Sequence, residues 1–190
     1  MENDRRKINK EDLELLKEKV NKIPDFPSQG ILFYDLFSIL KDVELSQKLF
    51  QTSVDVIVNF LIDTKQEVTA IVGLESRGFL LGLVIADRMK LPFVPIRKKN
   101  KLPGNLFKIN YITEYSQDQV ELQADSLNEN SKVFIVDDLM ATGGTMKAAE
   151  DLIRMANSKI VGYYSVFEIV ALEGRKRLSN EDSLVTLIKI

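Results

Sequence analysis

The residues best suited to chemistry are two adjacent acids and the loop of small residues that follows them. Asp137 and Asp138 come directly after four apolar residues, 133–136. The loop then contains small and hydroxylated residues: Ala141, Thr142, Gly143, Gly144 and Thr145. Amides at the start of a helix bind phosphate groups, and glycines let the backbone approach a ligand closely. Carboxylates suit hydroxyl donors or Mg²⁺ instead. The pattern therefore predicts a site for a ligand with both a phosphate and a diol, such as a ribose 5-phosphate.

These groups need a strand before them and a helix after them. The apolar run 133–136 is typical of a buried strand that ends at the two acids, and the sequence predicts a helix over 145–156. In an open parallel sheet, ligands bind at the carboxyl ends of the strands. We therefore expect the acids at such an edge and the loop at the helix N-terminus. Because the loop contains no lysine or arginine, it is not a Walker A loop.

Strands and helices alternate along the rest of the chain, which predicts an α/β fold with a mostly parallel central sheet flanked by helices. Lys98–Lys108 is rich in lysine, contains Pro103 and Gly104, and is expected to be an exposed, flexible loop. The predicted helices cover 11–23, 43–62, 78–89 and 145–156, and Pro24 is expected to end the first of them. The predicted strands cover 68–72, 93–97, 133–136, 160–170 and 184–190, and a hairpin joins 110–115 to 119–122 through the turn 116–118.

Composition limits the class of protein. With 190 residues, 45% of them apolar and 28% charged, the sequence predicts one globular domain over 1–190. A net charge of −2 gives no overall attraction to nucleic acid or to an anionic membrane. The charged stretch Met1–Lys10 is unlike a signal peptide, and the apolar runs are too short to span a bilayer. We therefore expect a cytoplasmic protein that binds neither nucleic acid nor membranes.

The chain contains neither histidine nor cysteine. The commonest general base and the soft metal ligands are thus absent, so any metal should be a hard cation held by oxygen, such as Mg²⁺.

The stretch 133–145 strongly resembles the phosphoribosyl-pyrophosphate signature of the type I phosphoribosyltransferases. In that family the paired acids hold the ribose 2′- and 3′-hydroxyls and the loop holds the 5-phosphate. The resemblance therefore implies that Asp137 and Asp138 bind the ribose. It assigns the 5-phosphate to the five loop residues: Ala141, Thr142, Gly143, Gly144 and Thr145.

Four further segments resemble the adenine-specific members of that family, in the family's order. They are Ile23–Pro27 with its continuation to Asp35, Gly73–Phe79, Arg97–Gly104, and Tyr111–Tyr115. The resemblance implies transfer of a 5-phosphoribosyl group from phosphoribosyl pyrophosphate to adenine, which gives AMP and pyrophosphate in purine salvage. It also implies Mg²⁺, a homodimer, a core over about 36–190, and a helix with a small base-binding hood over about 1–35.

The resemblance assigns a role to each motif residue. Glu114, Arg77 and Lys101 are implied to be catalytic. The pyrophosphate would contact seven residues: Glu75, Ser76, Arg77, Arg97, Lys98, Lys101 and Tyr115. The base would lie among Leu32, Phe33, Tyr34 and Ile169. No side chain is assigned as a direct metal ligand, although Asp137 and Asp138 are candidates through water.

Taken without the resemblance, several of these residues have ordinary explanations. Arg77 suits pyrophosphate oxygens or a surface ion pair, and Glu75–Gly78 between a strand and a helix suits an anion-binding nest. The basic run Arg97–Lys101 suits a solvated surface as well as a lid over pyrophosphate. Glu114 alone would be taken as a solvated strand residue, and Leu32, Phe33 and Ile169 as core residues.

The sequence also departs from the family pattern at four positions. Tyr34 stands where arginine is usual, Asn100 and Ser116 replace glycines, and Glu75 replaces an aspartate. Tyr34 bears on base specificity, which leaves open a transferase for another purine such as xanthine. A non-catalytic regulator that senses the same ligand is a second alternative, although it should carry a DNA-binding extension. A purely structural α/β domain would leave the phosphate loop unexplained.

Overall fold

A computed structural model of the chain describes residues 5–112 and 117–190. In those residues the helices are α1 (Lys10–Lys19), α2 (Phe37–Leu40), α3 (Val43–Thr64), α4 (Arg77–Met89) and α5 (Gly144–Met155). The strands are β1 (Asn21–Pro24), β2 (Leu32–Asp35), β3 (Ala70–Leu74), β4 (Phe93–Lys98), β5 (Leu106–Ile112), β6 (Gln117–Gln123), β7 (Lys132–Met140), β8 (Lys159–Glu168) and β9 (Leu184–Lys189). Short 3-10 turns cover Val170–Leu172, Gly174–Arg177 and Glu181–Ser183.

One sheet of seven strands forms the centre of the described chain, in the order β5-β6-β4-β3-β7-β8-β9. The five strands from β4 to β9 in that order are parallel, whereas β6 pairs antiparallel with both β4 and β5. A separate antiparallel pair, β1 and β2, lies before the sheet in the sequence. The predicted α/β fold with a mostly parallel sheet is confirmed.

Strand β7 shows why the sheet is covered on both faces. Val133 and Ile135 belong to the apolar layer that contains α5, while Phe134 and Val136 belong to the layer that contains α3 and α4. All four side chains are fully buried. Successive strand residues point to opposite faces, so a strand buried on both sides must be apolar throughout. Burial of each such side chain is worth about 1.5–3 kcal/mol.

The first helix is shorter than the sequence indicated. It ends at Lys19, and Ile23 lies in β1 opposite Phe33, so the predicted helix over 11–23 that ends at Pro24 is wrong in its last turn. Leu16 and Val20 are buried, whereas Ile23 is 41% exposed. The helical spacing of apolar residues extends past the end of α1 because Ile23, a strand residue, lies at a position that also fits that spacing.

Several predicted element boundaries at the edges of the sheet differ from the observed ones. Strand β7 continues through both acids to Met140, so the strand does not end where the apolar run ends. Strand β8 stops at Glu168 instead of 170. The basic loop covers only 99–105, because β5 begins at Leu106. The 110–122 hairpin is confirmed as the β5–β6 pair, but residues 117 and 118 of the predicted turn belong to β6.

The second helix was predicted correctly. Asp42 caps the N-terminus of α3 by accepting a hydrogen bond from the Leu45 amide at 3.0 Å, and Lys65, directly after the last helical residue, adopts the left-handed conformation. Among the described residues, α3 and the other helices lack the length or the continuous apolar character that crossing a bilayer requires.

Candidate active site

A polar cavity of about 560 Å³ opens at the carboxyl ends of β3 and β7. This is the edge at which parallel sheets bind ligands. Its walls contain most of the predicted ribose and pyrophosphate residues, two of the predicted 5-phosphate residues and three residues that were not predicted. The lining residues are Glu75, Ser76, Arg77, Lys98, Lys101, Tyr111, Asp118, Asp137, Asp138, Leu139, Ala141 and Thr145.

Asp137 and Asp138 lie near the carboxyl end of β7 and line this cavity. Asp138 is 4% exposed, and its carboxylate accepts a hydrogen bond from the Arg77 Nε. Asp137 Oδ1 accepts from the Asp138 amide at 2.9 Å. Burial and the neighbouring Asp138 charge raise the pKa of Asp137 well above its ordinary range. Two carboxylates held this close favour ligands that donate hydrogen bonds.

Gly78 allows the acids and α4 to approach each other. A Cβ at this position would lie 2.7 Å from the Val136 carbonyl oxygen and 3.1 Å from Asp137 Oδ1. Any other residue would therefore push the start of α4 away from β7. The first turn of α4, which carries Arg77, is held beside the acids for this reason.

The predicted phosphate loop turns sharply between β7 and α5. Gly143 has φ +79° and precedes the first helical residue, Gly144, and the Lys147 amide donates to the Gly143 carbonyl at 2.9 Å. A small cavity of about 80 Å³ is lined by Asp137 and residues 139–146. The positive end of the α5 dipole therefore faces a space bounded by backbone, which suits a phosphate.

Glu75 faces the basic loop. Its carboxylate accepts hydrogen bonds from Lys101 Nζ at 2.6 Å, from the Lys98 amide at 2.8 Å and from Arg97 Nε at 3.3 Å. Burial raises the pKa of Glu75, but these hydrogen bonds outweigh it and leave the pKa below its ordinary value. Two of the three loop cations that the sequence assigned to pyrophosphate, Arg97 and Lys101, thus meet on one carboxylate, while the Lys98 ammonium pairs with Asp118.

The predicted anion nest over Glu75–Gly78 needs a correction at its first residue. The Glu75 amide donates to the Ile96 carbonyl at 3.1 Å as part of the sheet, so this amide is not available to an anion. Strand β3 ends at Leu74, and one further backbone hydrogen bond to β4 follows it.

Tyr111 and Asp118 were not predicted as site residues. They are opposite each other in the β5–β6 register, and Tyr111 Oη lies 3.4 Å from both Asp118 Oδ2 and Thr145 Oγ1. Lys98 Nζ lies 3.1 Å from Asp118 Oδ2. Burial raises the pKa of Tyr111. The sequence prediction missed this pair because it placed Asp118 in the turn, whereas the observed register puts Asp118 in β6 opposite Tyr111.

A second cavity, of about 450 Å³, adjoins the first and is mainly apolar. It brings together all four predicted base-binding residues. The lining residues are Phe26, Pro27, Ile31, Leu32, Phe33, Tyr34, Arg77, Leu139, Ala141, Thr142, Ile169 and Leu172. Phe26 belongs to the segment that the resemblance assigned to base binding, whereas Leu139 and Leu172 were missed, because only the tertiary fold brings β1–β2 against the ends of β7 and β8. A flat apolar slot of this size suits an aromatic base.

Two contacts define the walls of this slot. The rings of Phe26 and Phe33 meet edge to face with centroids 5.0 Å apart, and the Arg77 guanidinium lies 5.4 Å from the Phe33 centroid. Tyr34 packs against Phe167, with centroids 5.7 Å apart. Arg77 therefore lies at the junction of the polar and apolar cavities, where it contacts both Asp138 and Phe33.

Glu114, Tyr115 and Ser116 lie outside the described residues, so the predicted roles of Glu114 and Tyr115 stay predictions. Within 5–112 and 117–190, no group of three or more acidic side chains is arranged to hold a metal ion. Four carboxylates line the polar cavity: Asp137 and Asp138 lie side by side, whereas Glu75 and Asp118 are paired with Lys101 and Lys98.

Comparison with known proteins gives a consistent result. The family model of the phosphoribosyl transferase domain matches residues 44–188. Adenine phosphoribosyltransferase of Prochlorococcus marinus (strain MIT 9303) is 42% identical over 173 residues, which is 91% of this chain and 97% of that protein.

Solved structures agree with the sequence relatives. Adenine phosphoribosyltransferase of Saccharomyces cerevisiae, in complex with adenine and D-2,5-dideoxy-2,5-imino-altritol 1,6-bisphosphate, superposes with a TM-score of 0.86 and 38% identity over 94% of this chain and 99% of that one. The Trypanosoma brucei enzyme, in complex with AMP, pyrophosphate and ribose-5-phosphate, superposes with a TM-score of 0.82 and 28% identity over 93% of this chain and 78% of that one.

Proposed function

Because this chain belongs to the adenine phosphoribosyltransferase family, we propose that its two adjoining cavities transfer the 5-phosphoribosyl group of phosphoribosyl pyrophosphate to adenine. The products are AMP and pyrophosphate, as in purine salvage. The observation that carries the proposal is the junction at Arg77, where a polar cavity with paired acids meets an apolar slot. A sugar carbon held at that junction lies between its leaving group and its acceptor.

The polar cavity would hold the sugar and its phosphates. We assign the ribose hydroxyls to Asp137 and Asp138, whose carboxylates accept hydrogen bonds. The 5-phosphate is assigned to the amides and hydroxyls of Ala141–Thr145 at the α5 N-terminus. Binding of the ribose diol requires Arg77 to leave Asp138, and this releases a forked cation for the pyrophosphate oxygens.

The basic loop would close over the pyrophosphate. Arg97, Lys98 and Lys101 are assigned to this group, together with Ser76 and, outside the described residues, Tyr115. In the ligand-free protein Glu75 holds the side chains of Arg97 and Lys101, and Asp118 holds that of Lys98. Pyrophosphate offers them a higher negative charge, so its arrival favours transfer of Lys101 from Glu75 to the ligand. Closure then excludes water from the reacting carbon.

The apolar slot would hold adenine between Leu32 and Phe33 on one side and Ile169 on the other. Backbone carbonyls and amides near Leu32–Tyr34 are suited to tell an amino group from an oxo group at purine position 6. An oxo-purine there would leave buried polar groups unpaired. The Tyr34 ring packs on Phe167, which agrees with a packing role for this side chain.

Glu114 is assigned as the acid that hydrogen-bonds to N7 of the purine. The base must lose its N9 proton as the bond to C1′ forms, and a carboxyl hydrogen-bonded at N7 stabilises the charge that moves through the ring. In a chain without histidine, a carboxylate is the natural group for this role.

The residues present fit Mg²⁺ that arrives with the substrate. The cavity is lined by carboxylates and the chain contains neither histidine nor cysteine, which matches the oxygen ligands that Mg²⁺ prefers. Glu75 and Asp118 are paired with Lys101 and Lys98, and the remaining two carboxylates are too few for a site made of protein alone. Asp137 and Asp138 would face the ion through water. When bound, Mg²⁺ neutralises charge on the leaving pyrophosphate. Full activity after exhaustive chelation would contradict this part of the proposal.

The homodimer and the cytoplasmic location also belong to this proposal. Leu80 and Leu83 on α4 are 44% and 58% exposed, and exposed leucines of this kind suit an interface between subunits. Light scattering behind a sizing column measures the mass of the particle. A mass of one chain across the working concentration range would contradict the dimer.

A direct assay tests the proposed reaction. The protein is incubated with phosphoribosyl pyrophosphate, Mg²⁺ and one purine at a time, and nucleotide and pyrophosphate are quantified. We expect AMP from adenine, with kcat/KM at least about 10³-fold above that for hypoxanthine. Preference for xanthine or hypoxanthine would contradict adenine as the acceptor but would still support transfer of the phosphoribosyl group. Binding of phosphoribosyl pyrophosphate without turnover of any purine would contradict the enzyme and favour a sensor.

A further inference from the structure

The segment after β8, Ile169–Leu178, lies against the phosphate loop and the base slot but has no assigned role in either, apart from Ile169. We call it the clamp segment. Its first residue is tied to β7, because the Ile169 amide donates to the Met140 carbonyl at 2.9 Å. Leu172 lines the base slot. The segment thus begins at the base and continues towards the loop that holds the 5-phosphate.

A buried ion pair fixes the clamp segment to the sheet. Arg175 donates to the Glu168 carboxylate from both Nε and Nη2, at 2.5 and 2.6 Å. The Glu168 side chain is 4% exposed and the Arg175 side chain 26% exposed. The Arg175 hydrogen bond and charge lower the pKa of Glu168 despite its burial. A bidentate pair of this kind fixes direction as well as distance.

Gly174, next to Arg175, makes the closest contact with the phosphate loop. A Cβ on Gly174 would lie 2.1 Å from the Ala141 carbonyl oxygen and 2.8 Å from the Gly143 amide nitrogen. Conversely, a Cβ on Gly143 would lie 2.3 Å from the Gly174 carbonyl oxygen. The two backbones therefore pack directly on each other, and a displacement of Gly174 must be felt at the loop.

We propose that Arg175 and Glu168 are positioning residues for the transfer, which hold Gly174 against the Ala141–Gly143 backbone and thereby fix the 5-phosphate loop and the Ile169 wall of the base slot as one unit. This inference rests on the proposed function, since it takes the loop to be the 5-phosphate site. Neither Arg175 nor Glu168 lines any of the three cavities of the site. Sites of this kind lose affinity when a supporting contact lets them shift by about 1 Å.

The test is binding of ribose 5-phosphate, measured by isothermal titration to the full-length protein. Arg175→Met keeps the apolar stem but removes both hydrogen bonds, and we expect its Kd to rise about tenfold or more. Arg175→Lys keeps the charge but not the fork, so it should weaken binding less than Arg175→Met does. The matched control is Lys176→Met, which removes an exposed ion pair to Glu173 on the same turn. Its Kd should stay within about twofold of wild type.

A second pair of measurements separates positioning from stability. Glu168→Gln combined with Arg175→Met should weaken ribose 5-phosphate binding little more than Arg175→Met alone, because the pair acts as one unit. KM for phosphoribosyl pyrophosphate and KM for adenine should both rise in Arg175→Met, and KM does not depend on the fraction of folded enzyme.

Gly174→Ala keeps the test decisive if Arg175→Met does not fold, because it disturbs the same contact from the backbone side. Wild-type Kd and KM values in a folded Arg175→Met or Gly174→Ala protein would overturn the proposal. Absence of ribose 5-phosphate binding in the wild type would overturn the proposed function itself.

Discussion

Two buried acidic sites, one before the N-terminus of α5 and one within the helix, behave in opposite ways. Asp137 and Asp138 lie before its N-terminus, close to each other, and burial with the neighbouring charge raises the pKa of Asp137. Glu150, inside α5, is fully buried but contacts many donors, and its pKa is lowered to about 2. One site holds carboxylates close together beside an open cavity, and the other is satisfied within the fold.

The difference lies in the partners of each carboxylate. Glu150 accepts hydrogen bonds from Tyr163 Oη at 2.7 Å, from the Ser179 amide at 3.0 Å and from Lys147 Nζ at 2.9 Å. Asp138 has one cationic partner, Arg77, which is positioned to exchange it for a ligand. A buried carboxylate with complete partners stabilises the fold, whereas a pair with incomplete partners is suited to binding.

The largest effect should come from the paired acids. Asp137→Asn or Asp138→Asn should lower kcat/KM for phosphoribosyl pyrophosphate on the order of 10²-fold, about 2.7 kcal/mol of transition-state stabilisation. The fold should change little, because both acids face the cavity at the edge of the sheet. Steady-state kinetics and circular dichroism check this, and near-normal kinetics in both variants would remove the acids from the site.

Glu150→Gln should lower stability and leave activity nearly unchanged. We expect a loss of about 2 kcal/mol in the free energy of unfolding, because Lys147 and the Ser179 groups lose a charged acceptor. In contrast, kcat/KM of the folded protein should stay within about twofold of wild type. Urea unfolding with parallel kinetics measures both. Asp151→Asn is the matched control, since Asp151 pairs with Lys147 at 2.6 Å but is 40% exposed. A Glu150→Gln protein that loses kcat/KM but keeps its free energy of unfolding would contradict the contrast between the two acidic sites.

Ionisation of Glu150 and ionisation of Asp137 should change the free energy of unfolding in opposite directions as the pH rises. The pKa of Glu150 is lowered from 4.5 to about 2, so its stabilisation is complete above pH 4.5 and is lost as pH falls towards 2. The pKa of Asp137 is raised from 3.8, so its ionisation destabilises the ligand-free protein as pH rises above 3.8.

Unfolding free energies of wild type, Glu150→Gln and Asp137→Asn between pH 3 and 7 test these signs. The deficit of Glu150→Gln should shrink at the acid end. The advantage of Asp137→Asn over wild type should grow towards neutral pH. Parallel curves for all three proteins would show that neither carboxyl has a shifted pKa.

The smallest effect should be at the basic loop. Trypsin should cleave the free protein first within Arg97–Lys101, because exposed loops are cut first. Glu75→Gln should speed that cleavage about three- to fivefold, since a partly exposed ion pair of this kind contributes about 1 kcal/mol or less. Glu67→Gln, which removes an exposed pair with Lys132, is the control. Phosphoribosyl pyrophosphate with Mg²⁺ should slow cleavage, and a rate independent of the ligand would argue against closure.

The sequence by itself determined the order of elements and the chemistry of the site. Four apolar residues before Asp137 predicted a strand buried on both faces, and the glycines after Met140 predicted a loop at a helix start. Both signals are local, since they depend on side-chain periodicity and on the conformations that glycine allows. Asp42 before α3 is local in the same way, and its cap was found.

The tertiary structure alone decided which of these local features meet. Strand β7 continues past its apolar run because its pairing with the parallel strand β8 extends to Met140. The first helix stops at Lys19 because the residues after it pair with β2, with Ile23 opposite Phe33. The partnership of Glu75 with Lys101, the contact of Tyr111 with Thr145 and the packing of Gly174 on Ala141 join residues far apart in sequence. Such contacts depend on how distant elements pack, and no local pattern of residue types specifies that packing.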